Sequence, residues 1–376
     1  MTDIKQQILQ QIKNAKSILI AFKDIKDGSG YPAGGDAIAS ALALQQILSK
    51  NGKTTDIASP NFVLPAWAKF LAPAETIKNN IQATQKAKIR LNIKDSGVKD
   101  FSYEVDGDFL NIFFAPKANS INLKNMETES GLWQYDLIIT LDTAELSLLG
   151  KIYEANKAFF DNVPIINIDD TSENENYGEI NFVDIKSSSV AEMIWQMVEK
   201  SPNLDEKIID CILAGIIAKT KNFRRPSINP RTLEIAGKLL SLGAKRGEIV
   251  DAFYRTKDIP TLKIWGRALA RLKHQDEIIW SLLAHSDFIH SGASEESLGD
   301  VMYELVSNSP DANIAALLFE SFEGKIKTIL YSHKISFEIL SLGISHRPNR
   351  LTHAALPHAN LIAAEKELIN ELKKII

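Results

Sequence analysis

The alternation of apolar and polar positions divides the chain into an α/β part, a helical stretch and a second mixed part. Residues 1–16 place Ile4, Ile8 and Ile12 at helical spacing, which predicts an amphipathic helix. Ser17–Phe22 is a short apolar run with the character of a buried strand. It is followed by a glycine-rich loop at 28–35 and a helix from Asp36 to Lys50. Strand, loop and helix in that order open a parallel α/β domain. Thr54–Ala58, Tyr135–Asp142 and Val163–Ile168 add strands, with a helix over Ser147–Ala158 between the last two. Segments 88–93, 101–105 and 109–116 alternate or run apolar around Asp106-Gly107, predicting a small antiparallel excursion at about 86–116.

Beyond Asn181–Asp184 the pattern becomes helical. Ser189 and Glu192 have the spacing of a capping box, a second helix spans Asp205–Thr220, and a third runs from Pro230 to Leu242 and stops at Gly243. Residues 247–258 continue as helix. Then follow a helix at 262–272, a strand at 277–285, a helix at 297–308, a hairpin around Glu323-Gly324 and a C-terminal helix at 360–376. The predicted architecture is a doubly wound, mainly parallel α/β domain over 1–240 and a helical connector over 241–257. A smaller α+β domain over 258–376 closes over the cleft.

At 376 residues both domains can bury a core. A net charge of −4 excludes a protein held to nucleic acid or anionic membrane by bulk charge. The single cysteine, Cys211, excludes an intrachain disulfide and a cysteine-based zinc cluster, and its place in the apolar run Ile208–Ile217 makes it a buried hydrophobe. The N-terminal segment is too polar for a signal peptide and no apolar run reaches spanning length, so a cytoplasmic location without a membrane partner is expected.

Candidate chemistry begins where the strand Val163–Ile168 stops at Asp169 and Asp170. Open α/β sheets bind ligands at the C-terminal ends of their strands, and paired carboxylates there suggest a metal site. The loop at 28–35 fits neither a Walker nor a Gly-x-Gly-x-x-Gly phosphate loop. Lys219, Lys221, Arg224 and Arg225 form a basic run that reads either as a solvated helix end or as a phosphate contact.

Four segments in order resemble the DHH phosphoesterase superfamily of RecJ-like exonucleases, nanoRNases, cyclic-dinucleotide phosphodiesterases and family II pyrophosphatases. They are Asp36–Leu44, Asp142–Gly150, the run Asp169-Asp170-Thr171 with Asn174, Tyr177, Gly178 and Asn181, and Leu213–Arg224. The resemblance implies a two-metal phosphoesterase frame with a substrate-binding C-terminal domain. It also implies altered ligands: the first metal's His and Asp positions fall on Gly30 and Gly34. The second metal's set falls on Asp36, Asp142, Asp170 and Lys219, and the second His is Thr171. A protonated lysine cannot ligate a metal.

The leading expectation is a degenerate family member, a pseudoenzyme that has lost two-metal hydrolysis and binds a small phosphorylated ligand, a nucleotide or a short single-stranded nucleic acid. Thr220, Arg224, Arg225, Asn174, Arg347 and Arg350 are its candidate ligand contacts, and Lys219 is expected within salt-bridge reach of the aspartates. No cofactor is expected beyond a single Mg²⁺ or Mn²⁺ on Asp36, Asp142 and Asp170. The alternatives are an active metal-dependent phosphodiesterase or phosphatase on that cluster, and a scaffold protein. Such relatives imply a homodimer.

Overall fold

A computed structural model describes residues 2–375 except 26–31, 33, 72, 120, 226–227, 256–257, 300, 303–311, 333–334 and 348–350. Five parallel strands form the first sheet: β1 (Ser17–Phe22), β2 (Thr54–Ala58), β7 (Leu137–Leu141), β8 (Ile165–Asp169) and β9 (Ile180–Val183). Their spatial order is β2-β1-β7-β8-β9, so the chain reverses its direction of travel between β1 and β7. Strands covered on both faces read as continuous apolar runs rather than alternating ones, which is why Ser17–Phe22 and Leu137–Leu141 are legible. Ile18, Ile20 and Phe22 enter one core with α2 (Gly35–Lys50), α5 (Val190–Val198) and α6 (Glu206–Lys219). Leu19 and Ala21 face the other side, against Phe159 and Phe160.

α1 (Thr2–Asn14) docks Ile8 into the first core, and α7 (Pro230–Ser241) and α8 (Arg246–Tyr254) complete it through Leu239 and Phe253. Side chains cap the helices as the sequence suggests: Asp205 accepts from Ile208 N at 3.0 Å and Asn229 from Thr232 N at 3.0 Å. The box at Ser189 is half formed. Ser189 accepts from Glu192 N at 3.1 Å, but the Glu192 carboxylate accepts from Ser188 N and from the Thr232 hydroxyl instead of from Ser189 N.

Two expectations are corrected. The helix over 147–158 is broken into a 3-10 turn at Leu146–Leu149 and short helices α3 (Lys151–Glu154) and α4 (Lys157–Asn162). Gly150 has a positive φ of 47°, and Asn156 spends its amide on Ile152 O and Ile81 O while accepting from Ala83 N, which ties the break to another segment. The antiparallel excursion also runs past residue 116. β3 (Gln85–Arg90) pairs with β6 (Glu127–Trp133), outside the hairpin of β4 (Asp100–Asp106) and β5 (Phe109–Ala115).

The second domain is a mixed sheet of β10 (Lys273–Gln275), β11 (Ile278–Leu283), β12 (Ile314–Glu320), β13 (Ile326–Ser332) and β16 (Thr352–Leu356), in that order. Only the β11–β12 pair is parallel. α9 (Ile259–Ala270) and α10 (His285–Ser291) cover one face through Ile264 and Phe288, and the C-terminal helix α11 (Leu361–Lys373) covers the other through Leu368 and Leu372. A ribbon of β14 (Phe337–Ile339) and β15 (Ile344–His346) adds to that second face. Residues 300 and 303–308 of the helix expected at 297–308 lie outside the described residues. Among the described residues no helix is long and apolar enough to cross a membrane.

Close contact of α2, α5 and α6 sets the position of the strand ends and depends on missing side chains. A Cβ on Gly215 would lie 2.5 Å from Ala191 Cβ and 3.0 Å from Asp36 Oδ1, and one on Gly35 would lie 2.5 Å from Ala218 Cβ. Gly215→Ala is therefore expected to cost about 1–3 kcal/mol by overpacking. Urea unfolding should show a lower midpoint at unchanged slope; an unchanged midpoint would mean that these helices separate freely.

Candidate functional site

The order of the first sheet places its topological switch between β1 and β7, where the C-terminal strand ends form a crevice. Lys23 follows β1, Asp142 follows β7, Asp169 ends β8 and Asp170 comes next. Asp142 adopts φ 48°, a left-handed conformation that aspartate tolerates better than most residues. Its amide is held by Ile168 O at 3.1 Å. Asp142, Asp169 and Asp170 each offer one oxygen, all within 4.8 Å of one another, a grouping that could hold a cation.

A cation from the protein itself enters this grouping. Lys219, the last residue of α6, places Nζ 2.8 Å from Asp170 Oδ1, 3.1 Å from Asp142 Oδ1 and 4.0 Å from Asp36 Oδ2. Lys23 adds a longer contact of 3.5 Å to Asp142 Oδ2. Burial alone would favour a neutral Lys219, but the charges of Asp142, Asp170 and Asp36 outweigh it and hold the ammonium protonated far above the usual range. For Asp142 burial pushes the carboxyl up, and Lys219 and Lys23 together pull it below the ordinary value.

Asp36 and Asp169 are tied into the scaffold. Asp36 accepts from Val190 N at 2.7 Å and Ala191 N at 3.0 Å, capping α5, and from the Ser40 hydroxyl at 3.2 Å. Burial, reinforced by Asp170 and Asp142 and opposed by Lys219, pushes its carboxyl up to about 7. Asp169 accepts from Asp170 N and Thr171 N on one oxygen and from the Asn174 amide at 2.7 Å on the other. Burial first, then Asp142, raises its pKa. The triad of Asp36, Asp142 and Asp170 expected from sequence is thus not the tightest grouping. Asp169 takes Asp36's place there, because Asp36 is turned towards the α5 amides.

Asn174 is buried, donating to Asp169 and Thr143 O and accepting from the Asn167 amide at 2.7 Å. The Tyr177 hydroxyl closes this network onto Thr140 and Thr143 O. Thr220 is also buried, with its hydroxyl donating to Ile216 O at 2.6 Å and accepting from Phe223 N. Both side chains organise the site from behind. Thr171 is half-buried and its hydroxyl accepts from Glu173 N.

After Thr220, three successive non-glycine residues, Lys221, Asn222 and Phe223, have φ of 52°, 56° and 64°. A run of left-handed residues is strained and persists only where its surroundings hold it, here through Asn222 N to Ile217 O and Arg246 to the Asn222 side chain. The turn carries Lys221, exposed Arg224 and half-buried Arg225. Burial and then the two guanidinium groups push Lys221 down to about 8. In the second domain Arg347 is exposed, and Arg350 lies outside the described residues, as does most of the glycine-rich loop including Gly30.

Sequence reading missed Lys23 and the part played by Asp169. Lys23 had a signal, its position directly after the strand at the switch point. The partners of Asp169 lie in the loop that follows it.

A five-stranded parallel sheet switching direction at β1/β7, with carboxylates on its strand ends and a mixed second domain, agrees with the DHH class of phosphoesterase fold, and the sequence matches place the chain in that superfamily. Residues 30–216 match the model of the DHH family, N-terminal domain. Among curated proteins, the bifunctional oligoribonuclease and PAP phosphatase NrnA of Bacillus subtilis is 27% identical over 135 residues, 35% of this chain and 42% of that protein. The NrnA of Thermus thermophilus is 31% identical over 88 residues, 23% of this chain and 27% of that one. The chain therefore matches less than half the length of these relatives. The solved structure of an exopolyphosphatase-related protein from Bacteroides fragilis superposes with a TM-score of 0.68 at 17% identity, covering 100% of this chain and 96% of that one, a likeness of fold.

Removing one partner of a buried charge pair leaves the other uncompensated. Lys219→Met should therefore lower stability at neutral pH by about 3 kcal/mol. The sign of its pH dependence follows from Asp142. A folded-state pKa below the unfolded one gives stability that is present above 3.8 and is lost as pH falls through the folded value. The gap between wild type and Lys219→Met should shrink in acid below that pH, measured by chemical unfolding at a series of pH values. A constant gap would detach Lys219 from Asp142.

Proposed function

We propose that this protein binds a phosphorylated ligand, a nucleotide or short oligonucleotide, at the β1/β7 switch point, and that it does so without two-metal hydrolysis. The observation that carries the reading is the Lys219 ammonium, 2.8 and 3.1 Å from Asp170 and Asp142. Two-metal phosphoryl chemistry needs ions that clamp the attacking and leaving oxygens, held by ligands free to coordinate them. A resident ammonium repels a metal from the same oxygens. Asp36 and Asp169, which could have compensated, have oxygens already engaged by backbone amides and the Asn174 side chain. The residues present do not fit a metal pair.

The other half of the family's ligand set gives the same reading. Gly34 stands at the family's Asp position with φ 63°, and a Cβ there would lie 2.3 Å from Ile25 Cγ2. No side chain enters without moving the backbone. The basic turn at Lys221, Arg224 and Arg225 supplies the anion preference. Three like charges, one of them a half-buried lysine already pushed towards neutrality, are relieved by a phosphate. The activity of the NrnA relatives on oligoribonucleotides and 3′-phosphoadenosine 5′-phosphate supports that class of ligand.

A second reading has its own support. If Lys219 swings out, Asp142, Asp169 and Asp170 could hold one divalent ion and serve a metal-dependent phosphodiesterase. Assays with Mn²⁺ or Mg²⁺ on short oligoribonucleotides, 3′-phosphoadenosine 5′-phosphate, cyclic dinucleotides and pyrophosphate should show no turnover. A thermal shift with at least one of them should show binding, since a ligand of the native state raises apparent stability. Lys219→Asp with Asp170→His should create Mn²⁺ affinity measurable by calorimetry, still without hydrolysis. Metal-dependent turnover by the wild type that disappears in Asp142→Asn would reject the reading in favour of the enzyme.

A further inference from the structure

The excursion between β2 and β7 folds without a core of its own. Among the described residues of 85–132, no side chain belongs to any of the four hydrophobic clusters. A two-stranded hairpin is marginal in water unless something packs on it. In the β4–β5 hairpin, Phe101 pairs with Phe114, Tyr103 with Ile112 and Val105 with Leu110. Residues directly opposite one another, and those two apart along a strand, share a face. All six of these side chains therefore lie on one face and all six are apolar in body, with Phe101, Tyr103, Val105 and Leu110 exposed at 57%, 67%, 70% and 60%.

We propose that this face is a homodimer interface, occupied by the same face of a second copy. Three features favour a second copy. The face holds no charge, so stacking it on itself brings no like charges together; the acidic residues of β4, Asp100, Glu104 and Asp106, sit at the alternate positions pointing to the other side. Its exposed apolar area is on the order of 500 Å², so two faces together reach about 1,000 Å², where specific interfaces begin.

The third feature is directional. The face is aromatic at its base, Phe101 and Phe114, and aliphatic towards its tip, Val105 and Leu110. The tip is acidic, with exposed Asp106 and Asp108, whereas exposed Lys99 and Lys117 flank the base beside Asp100. A two-fold axis lying between the faces, at right angles to the strands, sets each aromatic end on an aliphatic end. The same rotation brings each acidic tip to the partner's lysines. A nucleic acid or an anionic bilayer would meet the acidic tip unfavourably.

Light scattering coupled to size exclusion across a concentration series tests this. The wild-type chain is expected at twice 41.8 kDa. Tyr103→Asp with Leu110→Asp should halve that mass while circular dichroism stays unchanged and the thermal midpoint loses its dependence on protein concentration, because the hairpin lies outside the four cores. Asp106→Lys with Asp108→Lys should weaken association at least tenfold, and adding Lys99→Glu with Lys117→Glu should restore it. A monomeric wild type, or a dimer that survives the face variant, overturns the proposal. Charge reversals without effect overturn the end-to-end arrangement. Binding of the monomer to anionic vesicles or oligonucleotides, lost in the face variant, overturns the choice of a second copy.

Discussion

The ammonium of Lys219 is the group on which the arrangement of the first domain's strand ends depends. Three carboxylates brought together in a partly dry crevice repel one another by several kcal/mol unless a positive charge offsets them. Lys219 offsets them from inside the chain, from the C-terminal end of a helix where a cation is also favoured by the backbone dipole. The consequence reaches beyond one ion pair. Asp36 capping α5, Asp142 held left-handed after β7, and Asp170 after β8 belong to three separate elements. One lysine therefore joins α2, two strand ends and α6.

Much of this frame was legible because its central strands β1, β7 and β8 are buried on both faces, while the edge strand β2 shows its apolar character only at Ile57 and Ala58. Ser17–Phe22 and Thr54–Ala58 appear in the sequence with their final boundaries. β6 was not legible, because Glu127-Thr-Glu-Ser-Gly-Leu-Trp133 has little apolar alternation and gains its strand form from pairing with β3. The break in the helix over 147–158 escaped a reading by periodicity, since it depends on Gly150 and on hydrogen bonds from Asn156 to Ile81 and Ala83.

Of the candidate site, the relation of Lys219 to the aspartates was legible through the resemblance of four ordered motifs to the DHH superfamily. The partners of Asp36 could not. They are backbone amides 154 and 155 residues away, and no side-chain pattern announces an amide. Asn174 and Thr220 show the converse. Their positions match a family pattern, yet their side chains are taken up by interior hydrogen bonds to Asp169 and Ile216.

A fixed ammonium and an exchangeable metal solve the same electrostatic problem with different chemical consequences. A metal can shed a water, take a phosphate oxygen and return to its ligands, whereas a lysine already bonded to two carboxylates has little left to offer a substrate. Under the proposed function, the anion-attracting role then passes to groups beside the cluster. Lys221, Arg224 and Arg225 follow Lys219 directly, on a turn whose left-handed backbone is held by Thr220, Ile217 and Arg246. Because that turn begins where Lys219 is anchored, the ion pairs that stabilise the aspartates also hold the start of the basic turn. Under the proposed function, stability of the strand ends and affinity for a phosphate are therefore coupled through the end of α6, so that a substitution at Lys219 acts on both at once.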